Sequence, residues 1–303
     1  MLKGVLLKGY GGFYYVMAQG EVWECSLRGR FRVKQQDFLP GDRVRILPAQ
    51  EVAARVTTQA TATIEHVYPR TSELTRPPVA NVEQVVLVFP LISPDPDYKL
   101  LDRILIQAWS STLEAAVVFT KIDLLRDQRG SGADLSMPEV YRRIGLSVLV
   151  LSNMDIDGTS RGEAEDLLRG KISVLAGPSG AGKSSFLNML DGELKLKTGA
   201  VSEKIGRGRH TTRHVELLDV AGGLVADTPG FSALYLPRME KEELQRGFPE
   251  MDPYRRKCRF SSCLHESEPR CAVRTAVEEG MIEGQRYEHY LFFLQELKKQ
   301  RRY

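Results

Sequence analysis

The first part of the chain alternates apolar and polar residues in short stretches that are separated by turn residues. The predicted strands cover Phe13–Val16, Glu21–Cys25, 30–34 and Arg43–Leu47. Several short strands with frequent turns, within about sixty residues, are typical of a small closed barrel. We therefore expect an all-β barrel of the OB type over residues 1–66.

The pattern changes after residue 66. Residues 67–80 are rich in proline and polar residues and predict a linker or loop between domains. Nearly continuous apolar runs then predict buried parallel strands at Val82–Phe89, Ala115–Phe119, Ser147–Leu151, Ile172–Ala176 and Gly223–Ala226. Helical spacing appears in Asp97–Ser110 and Ser184–Leu190. An α/β domain over residues 67–236 follows.

The last part of the chain, residues 237–303, predicts a small α-helical domain that ends in an amphipathic helix over Tyr287–Tyr303. The formal net charge of the whole chain is only +3, which does not by itself indicate nucleic acid. No apolar run is long enough to span a bilayer, and no signal-peptide pattern opens the chain. A cytoplasmic location is the expectation, without a membrane partner.

The predicted strand Ile172–Ala176 leads into a glycine-rich loop. Gly177, Gly182, Lys183 and Ser184 have the spacing G-x-x-x-x-G-K-S/T of a phosphate-binding loop. Its backbone N–H groups surround phosphate oxygens, its lysine reaches the outer phosphates, and its hydroxyl binds Mg²⁺. The other expected contacts in this loop and the helix after it are Pro178, Ser179, Gly180, Ala181 and Ser185.

The predicted strand Ala115–Phe119 delivers Thr120, Lys121 and Asp123, which form a T-K-x-D motif. The aspartate of this motif accepts hydrogen bonds from the N1 and N2 donors of guanine. Alone the motif is weak, but together with a phosphate loop it predicts a guanine-nucleotide site. Ser152 follows the next strand, where GTPases place a second base-contacting loop, although Asn153 stands where alanine is expected.

Two further segments complete the predicted site. The polar segment 206–213 lies between the phosphate loop and the next motif, and either Thr211 or Thr212 supplies a switch hydroxyl to Mg²⁺. Asp227 and Gly230 form D-x-x-G, which binds Mg²⁺ through water and meets the terminal phosphate. In a Ras-like chain the T-K-x-D motif comes last, whereas here it comes first, so the motif order is circularly permuted.

Three of the four cysteines lie close together near the end of the chain. Cys258, Cys263, His265 and Cys271 form the pattern C-x4-C-x-H-x5-C. Three thiolates and one imidazole make a closed tetrahedral set, which predicts one structural Zn²⁺.

A basic stripe is predicted on the barrel. Arg28, Arg30, Arg32 and Lys34 alternate with other residues and would lie on one face of a strand. The stripe is either a contact for a nucleic-acid backbone or an ordinary solvated strand face, and the sequence leaves both open.

Taken together, these motifs resemble the RsgA family (also called YjeQ or YloQ) of circularly permuted bacterial GTPases. The resemblance covers nearly the whole chain and includes TSELTRPPVANVEQ, GPSGAGKSS, GRGRHTT, DTPG and EPRCAV. It implies an OB domain, a permuted GTPase domain and a zinc domain. It also implies GTP hydrolysis, with Mg²⁺, stimulated by the small (30S) ribosomal subunit late in its maturation.

The resemblance further implies partners and a catalytic residue. The expected partners are the small subunit, its rRNA and GTP or GDP, with no DNA and with the protein as a monomer. Phe231 stands where Ras-like enzymes have a water-orienting glutamine. The family suggests His210 as its substitute, while Lys183 stabilises developing charge on the phosphates.

Two other functions compete with this interpretation. One is an ATP-using P-loop enzyme, against which the T-K-x-D motif argues. The other is a zinc-bearing, rRNA-binding scaffold whose nucleotide site is only structural. Nucleotide competition tests the first alternative, and GTP turnover with and without small subunits tests the second.

Overall fold

A computed structural model of the chain describes residues 1–28, 31, 37–49, 61–129, 135–152, 158–192, 194, 196, 215–226 and 236–300. The chain divides into two compact units. The first comprises residues 1–86, 157–179 and 183–231, and the second comprises residues 87–156, 180–182 and 232–303.

The described strands, in chain order, are β1 Leu2–Tyr10, β2 Phe13–Ala18, β3 Glu21–Leu27, β4 Arg43–Pro48, β5 Thr61–Val67, β6 Glu73–Thr75, β7 Pro78–Ala80, β8 Gln84–Pro90, β9 Glu114–Thr120, β10 Ser147–Val150, β11 Ile172–Ala176, β12 Leu217–Val220 and β13 Gly223–Ala226. The described α-helices are α1 Tyr98–Ser110, α2 Ile122–Arg129, α3 Ser136–Arg143, α4 Gly158–Leu168, α5 Lys183–Leu190, α6 Asp252–Arg255, α7 Ala272–Glu278 and α8 Gly284–Gln300. Two 3-10 turns cover Leu244–Gly247 and Pro249–Met251.

The first unit begins with a closed five-stranded barrel of order β1-β2-β3-β5-β4. Alternate residues of its strands point inward, and Val16, Val44, Ile46 and Ile64 are completely buried. Cys25 packs into the same core. The predicted OB-type barrel is confirmed.

The predicted basic strand over residues 30–34 is wrong at Phe31, the residue of that range that the structure describes. Phe31 is helical, and its N–H donates to the carbonyl of Arg28 at 3.0 Å. Arg28 pairs with the buried carboxylate of Glu65 at 2.7 Å, so its charge is neutralised within the barrel. Arg30, Arg32 and Lys34 lie outside the described residues.

Residues 68–81 form no simple linker. The strands β6 and β7 make a short hairpin, and Arg70 next to it donates to the buried carboxylate of Asp42 at 2.7 Å. The side-chain amide of Asn81 donates to the carbonyl of Gly41 at 2.8 Å. Gly41 has φ +92°, and a Cβ there would lie 1.9 Å from the carbonyl oxygen of Ala80. Only glycine fits this turn, which ties the hairpin to the barrel.

The first unit continues with strands of an α/β sheet in the order β8-β11-β13-β12, to which β8 contributes Gln84–Val86. The strands β11 and β13 are parallel, with Ile172 opposite Leu224, whereas β12 runs antiparallel to β13. The side-chain amide of Gln84 donates to the hydroxyl of Ser173 at 2.8 Å, which satisfies two buried polar groups.

The second unit contains the strands β10-β9-β8, to which β8 contributes Leu87–Pro90. Parallel pairing places Ser147 opposite Ala116. The helix α1 begins where the side chain of Asp97 accepts the N–H of Leu100 at 2.9 Å, a standard N-cap. The predicted strands and the helix of this region are therefore confirmed to within about two residues.

The C-terminal helices of the second unit share a core with α1. Phe248, Tyr290, Phe293 and Leu294 are completely buried in one cluster, and Ile106 of α1 belongs to the same cluster. Among the described residues, no helix is both long enough and apolar enough to cross a membrane.

A buried polar network lies within this core. The carboxylate of Asp102 in α1 pairs with Arg286 of α8, accepts a hydrogen bond from Tyr141 of α3 at 2.9 Å and lies 2.6 Å from the ring of His289. Arg286 also pairs with Glu250 at 2.5 Å. The side chains of Asp102 and Arg286 are each only 1% exposed, so both charges depend on this network.

We predict that Asp102→Asn lowers the free energy of unfolding by about 3 kcal/mol, because it removes one partner of a buried charge. The matched control is Glu139→Gln, which breaks an exposed pair with Arg142 and should cost less than about 1 kcal/mol. Urea unfolding measures both changes. Equal losses in the two variants would contradict a special role for Asp102.

Candidate nucleotide site and metal centre

The phosphate loop follows a completely buried strand and leads into a helix. Every residue of β11 is buried, and α5 begins at Lys183. Gly177, Gly180 and Gly182 have φ values of 141°, 76° and 94°, which are conformations that favour glycine. The local structure is the strand, glycine-rich turn and helix that the motif requires.

Lys183 folds over this loop. Its ammonium donates to the carbonyls of Gly177 and Pro178 at 3.0 and 2.9 Å. Ser184 and Ser185 lie in the first turn of α5 and are half-buried, whereas Ser179 is exposed. Positive charge and hydroxyl groups are thus gathered at the N-terminal end of a helix, which suits the phosphates and Mg²⁺ of a nucleotide.

The base-reading motif lies where β9 ends. Thr120 is completely buried, and its hydroxyl donates to the carbonyl of Ala181 in the phosphate loop at 2.6 Å. This contact gives Thr120 a role in holding the loop. Lys121 has φ 65°, and its ammonium donates to the carbonyl of Ser93. Burial lowers the pKa of Lys121, which Asp123 partly offsets.

Asp123 has an unused hydrogen-bond acceptor that suits a guanine base. It lies in the first turn of α2, and its Oδ1 atom is buried without a hydrogen-bond partner among the described residues. A buried carboxylate oxygen without a donor is costly, and the N1–H and N2–H groups of guanine are donors of the required kind.

Other predicted residues of the nucleotide site remain predictions. Ser152 is described and half-buried directly after Leu151, whose N–H donates to the carbonyl of Phe119 at 2.7 Å. The predicted residues that lie outside the described ranges are Asn153, His210, Thr211, Thr212, Asp227, Gly230 and Phe231.

The four predicted zinc ligands come together. The ligand atoms of Cys258, Cys263, His265 and Cys271 all lie within 4.8 Å of one another. The Sγ atoms of Cys258 and Cys271 are 3.9 Å apart, and the Nδ1 atom of His265 is 3.5 and 3.3 Å from them. A tetrahedral zinc site with ordinary bond lengths requires about 3.8 Å between sulfurs and about 3.6 Å between sulfur and nitrogen.

The chemistry of these ligands also fits a cation. Burial raises the pKa of the Cys263 thiol to about 12, and burial likewise raises the pKa of Cys271. Buried thiolates therefore need a compensating positive charge, which Zn²⁺ supplies. Because the protein fills all four positions, the metal is structural, as the sequence predicted.

Gln245 supports the metal centre, and sequence reasoning missed it. Its side-chain oxygen lies 3.2 Å from Nε2 of His265, and its amide nitrogen donates to the carbonyl of Cys263 at 3.0 Å. If Nδ1 held the metal, Nε2–H would donate to Gln245, and this hydrogen bond would fix the ring orientation and the tautomer of His265. A single glutamine thirteen residues before the first cysteine carries no sequence signal of this role.

Side chains also form hydrogen bonds with the backbone of the segment that carries the zinc ligands. Although burial acts in the opposite direction, the N–H groups of Leu264, Glu266 and Ser267 lower the pKa of the Glu268 carboxyl to about 2. The hydroxyls of Tyr287 and Tyr290, both on α8, donate to the carbonyls of His265 and Leu264 at 2.6 and 2.8 Å. The loop that carries the ligands is thereby fastened to α8.

The phosphate loop, the T-K-x-D motif and their permuted order define a circularly permuted P-loop GTPase with an N-terminal barrel. The chain belongs to the RsgA GTPase family. The family model for the RsgA GTPase matches residues 67–237, and the model for the RsgA N-terminal domain matches residues 3–55. The family predicted from the motifs is confirmed.

Individual proteins agree with this assignment. A Moorella thermoacetica protein named small ribosomal subunit biogenesis GTPase RsgA is 50% identical over 297 residues, which cover 98% of this chain and 97% of that protein. A Geobacillus kaustophilus protein of the same name is 47% identical over 304 residues, which cover 99% of each.

Two solved structures are similar over nearly the whole chain. The crystal structure of YloQ, described as a circularly permuted GTPase, matches with a TM-score of 0.77 and 36% identity, covering 99% of this chain and 96% of that one. The crystal structure of YjeQ from Thermotoga maritima matches with a TM-score of 0.74 and 34% identity, covering 98% of each.

We predict that Gln245→Leu weakens zinc binding by about 10- to 100-fold, because Nε2–H of His265 loses its acceptor. The conservative variant Gln245→Glu keeps an acceptor and should retain most of the affinity. Competition with a chromophoric chelator measures both. If the two variants bound zinc equally, the hydrogen bond to His265 would not matter.

We predict that Asp123→Asn lowers the affinity for GDP by about 100-fold or more, because two charge-assisted hydrogen bonds to guanine are lost. Xanthine carries an oxygen where guanine has N2, so the new amide can donate to it, and affinity for xanthosine diphosphate should rise. Titration of the wild type and of Asp123→Asn with GDP, xanthosine diphosphate and ADP checks this. Unchanged preference for GDP, or preference of the wild type for ADP, would refute guanine recognition by Asp123.

Proposed function

We propose that this protein hydrolyses GTP to GDP and phosphate when it is bound to the small ribosomal subunit, late in the maturation of that subunit. The observation that carries the proposal is the hydrogen bond from Thr120 to Ala181, which joins the guanine-reading motif to the phosphate loop. The curated relatives named above support the choice of partner, since they are small ribosomal subunit biogenesis GTPases by name.

The residues in this chain have distinct proposed roles. Lys183 would contact the outer phosphates and stabilise the charge that develops on them. Ser184, one of Thr211 or Thr212, and Asp227 through water would hold Mg²⁺, which neutralises phosphate charge when it is bound. The amide of Gly230 would meet the terminal phosphate. Pro178, Ser179, Gly180 and Ser185 complete the phosphate contacts, and Ser152 contributes to the base.

His210 is the proposed residue for positioning the attacking water. Phe231 occupies the position where Ras-like enzymes carry glutamine, and a phenyl ring cannot hold a water molecule. Unstimulated turnover should therefore be slow. The imidazole of His210 can accept a proton from water, and its place in the segment between the phosphate loop and D-x-x-G supports this role.

The proposal includes a division of labour along the chain. Residues 1–66 would bind rRNA, residues 67–236 would bind and hydrolyse GTP, and residues 237–303 would carry the zinc. The ranges matched by the two family models support this division. We propose that the protein acts in the cytoplasm as a monomer, on rRNA and not on DNA.

We predict that purified small subunits raise the GTP turnover of the wild type. His210→Ala should lower the stimulated kcat by about 100-fold while GTP affinity stays the same, because positioned proton transfer contributes that much or more. His214→Ala, a histidine in the same part of the chain, is the matched control and should keep full turnover.

Three outcomes of these measurements would count against the proposal. Turnover that is unaffected by small subunits would favour an rRNA-binding scaffold with a structural nucleotide site. Full stimulated turnover of His210→Ala would remove His210 from the mechanism, and equal losses in the two histidine variants would point to a general effect on this part of the chain.

A further inference from the structure

The described cations of the barrel differ in whether an acid neutralises them. Lys8 pairs with Glu216 at 2.7 Å, Arg28 with Glu65, and Arg43 with Glu83 at 3.1 Å. Lys3 and Arg45 are the other two cations in the described part of the barrel, and neither has an ion-pair partner among the described residues. Within the described part of the barrel, the cations that lack an ion-pair partner are therefore Lys3 and Arg45.

These two cations are neighbours on the outer face of the barrel. Strand pairing places Lys3 of β1 directly opposite Arg45 of β4, and Arg45 directly opposite His66 of β5. Directly opposite residues of antiparallel strands share a face. Val44 and Ile46 on either side of Arg45 are completely buried, so Arg45 belongs to the outer face.

Aromatic rings adjoin the cations. The ring of Tyr68 lies 4.8 Å from that of His66, at an interplanar angle of 86°, and the ammonium of Lys3 lies 6.0 Å from the Tyr68 centroid. Lys3 and His66 are exposed, and Tyr68 and Arg45 are half-buried. The Nε atom of Arg45 is buried without a hydrogen-bond partner among the described residues. We call Lys3, Arg45, His66 and Tyr68 the cationic row.

We propose that the cationic row binds the phosphate backbone of rRNA, with Tyr68 and His66 in contact with an adjacent unpaired base. Unneutralised cations beside aromatic rings are the combination that single-stranded nucleic acid requires, since phosphates pair with the cations and bases stack on the rings. An acidic peptide would use the cations but not the rings. The inference rests on the proposed function, which supplies the small subunit as partner.

The cationic row differs from the basic stripe that the sequence suggested. Arg28 belonged to the predicted basic stripe but is neutralised by Glu65, whereas Lys3 and Arg45 are far apart in the sequence and meet only through the pairing of β1 with β4. The rRNA-binding face would thus include β1, β4 and β5.

The test compares two double variants with the same change of charge on the same two strands. Lys3→Gln with Arg45→Gln removes the unpaired cations, and Lys8→Gln with Arg43→Gln removes paired ones. Affinity for purified small subunits is measured over a series of salt concentrations. The first variant should reduce the magnitude of the negative slope of log K against log salt by between about 1 and 2, because each lost phosphate contact reduces that magnitude by roughly 0.7 to 0.9. The second should leave it nearly unchanged.

Two results would overturn the inference. One is an equal slope for the Lys3/Arg45 variant and the wild type, and the other is an equal reduction in both double variants. If the wild type itself did not bind small subunits, the proposed function would fail, which is a distinguishable outcome.

A second measurement identifies the partner at this face. A photoreactive benzoylphenylalanine is placed at position 68 and irradiated in the complex with small subunits. Cross-links to rRNA would support the proposal. Cross-links only to a ribosomal protein, or no cross-link while the subunit is bound, would overturn it.

Discussion

The second unit depends on a single buried carboxylate, that of Asp102, which joins three helices of different sequence regions. Arg286 of α8 and Tyr141 of α3 both bind it, and a charge so deep in the protein is tolerated only with such partners. Tyrosine hydroxyls of α8 also donate to the carbonyls of Leu264 and His265, so the metal centre connects through α8 to α1. The region that carries the zinc ligands therefore shares one hydrophobic core with α1.

In the candidate nucleotide site, too, a single buried polar group connects distant parts of the chain. A strand end and a loop from distant parts of the sequence are joined by one hydroxyl, that of Thr120, donating to Ala181. Its burial excludes competing water, which strengthens the hydrogen bond. Three residues further along the chain, the Oδ1 atom of Asp123 is buried without a hydrogen-bond partner among the described residues. The end of β9 and residue 181 of the glycine-rich loop are thus held together by a single buried hydrogen bond.

Much of the fold follows from apolar runs alone. Strands such as Ile172–Ala176 and Gly223–Ala226 match the prediction to the residue, because a buried parallel strand must be apolar on both faces. The zinc ligands can also be predicted from the sequence, since three cysteines and a histidine so close together are typical of a structural zinc site. The sequence does not reveal ion-pair and hydrogen-bond partners that only the tertiary structure brings together. Arg70 lies in a proline-rich segment but binds Asp42, Gln245 precedes the cysteines without any motif, and Arg28 is neutralised by Glu65.

The turn at Gly41 constrains how this protein can be recombined with its relatives. With the carbonyl of Ala80 only 1.9 Å from any added Cβ, the barrel and the hairpin of residues 68–81 fit one another at a single position. The salt bridge between Arg70 and Asp42 and the amide of Asn81 fix the same pair. A chimaera that exchanges barrels at residue 66 would separate these partners, whereas a crossover after Asn81 would carry barrel and hairpin across together as one inherited piece.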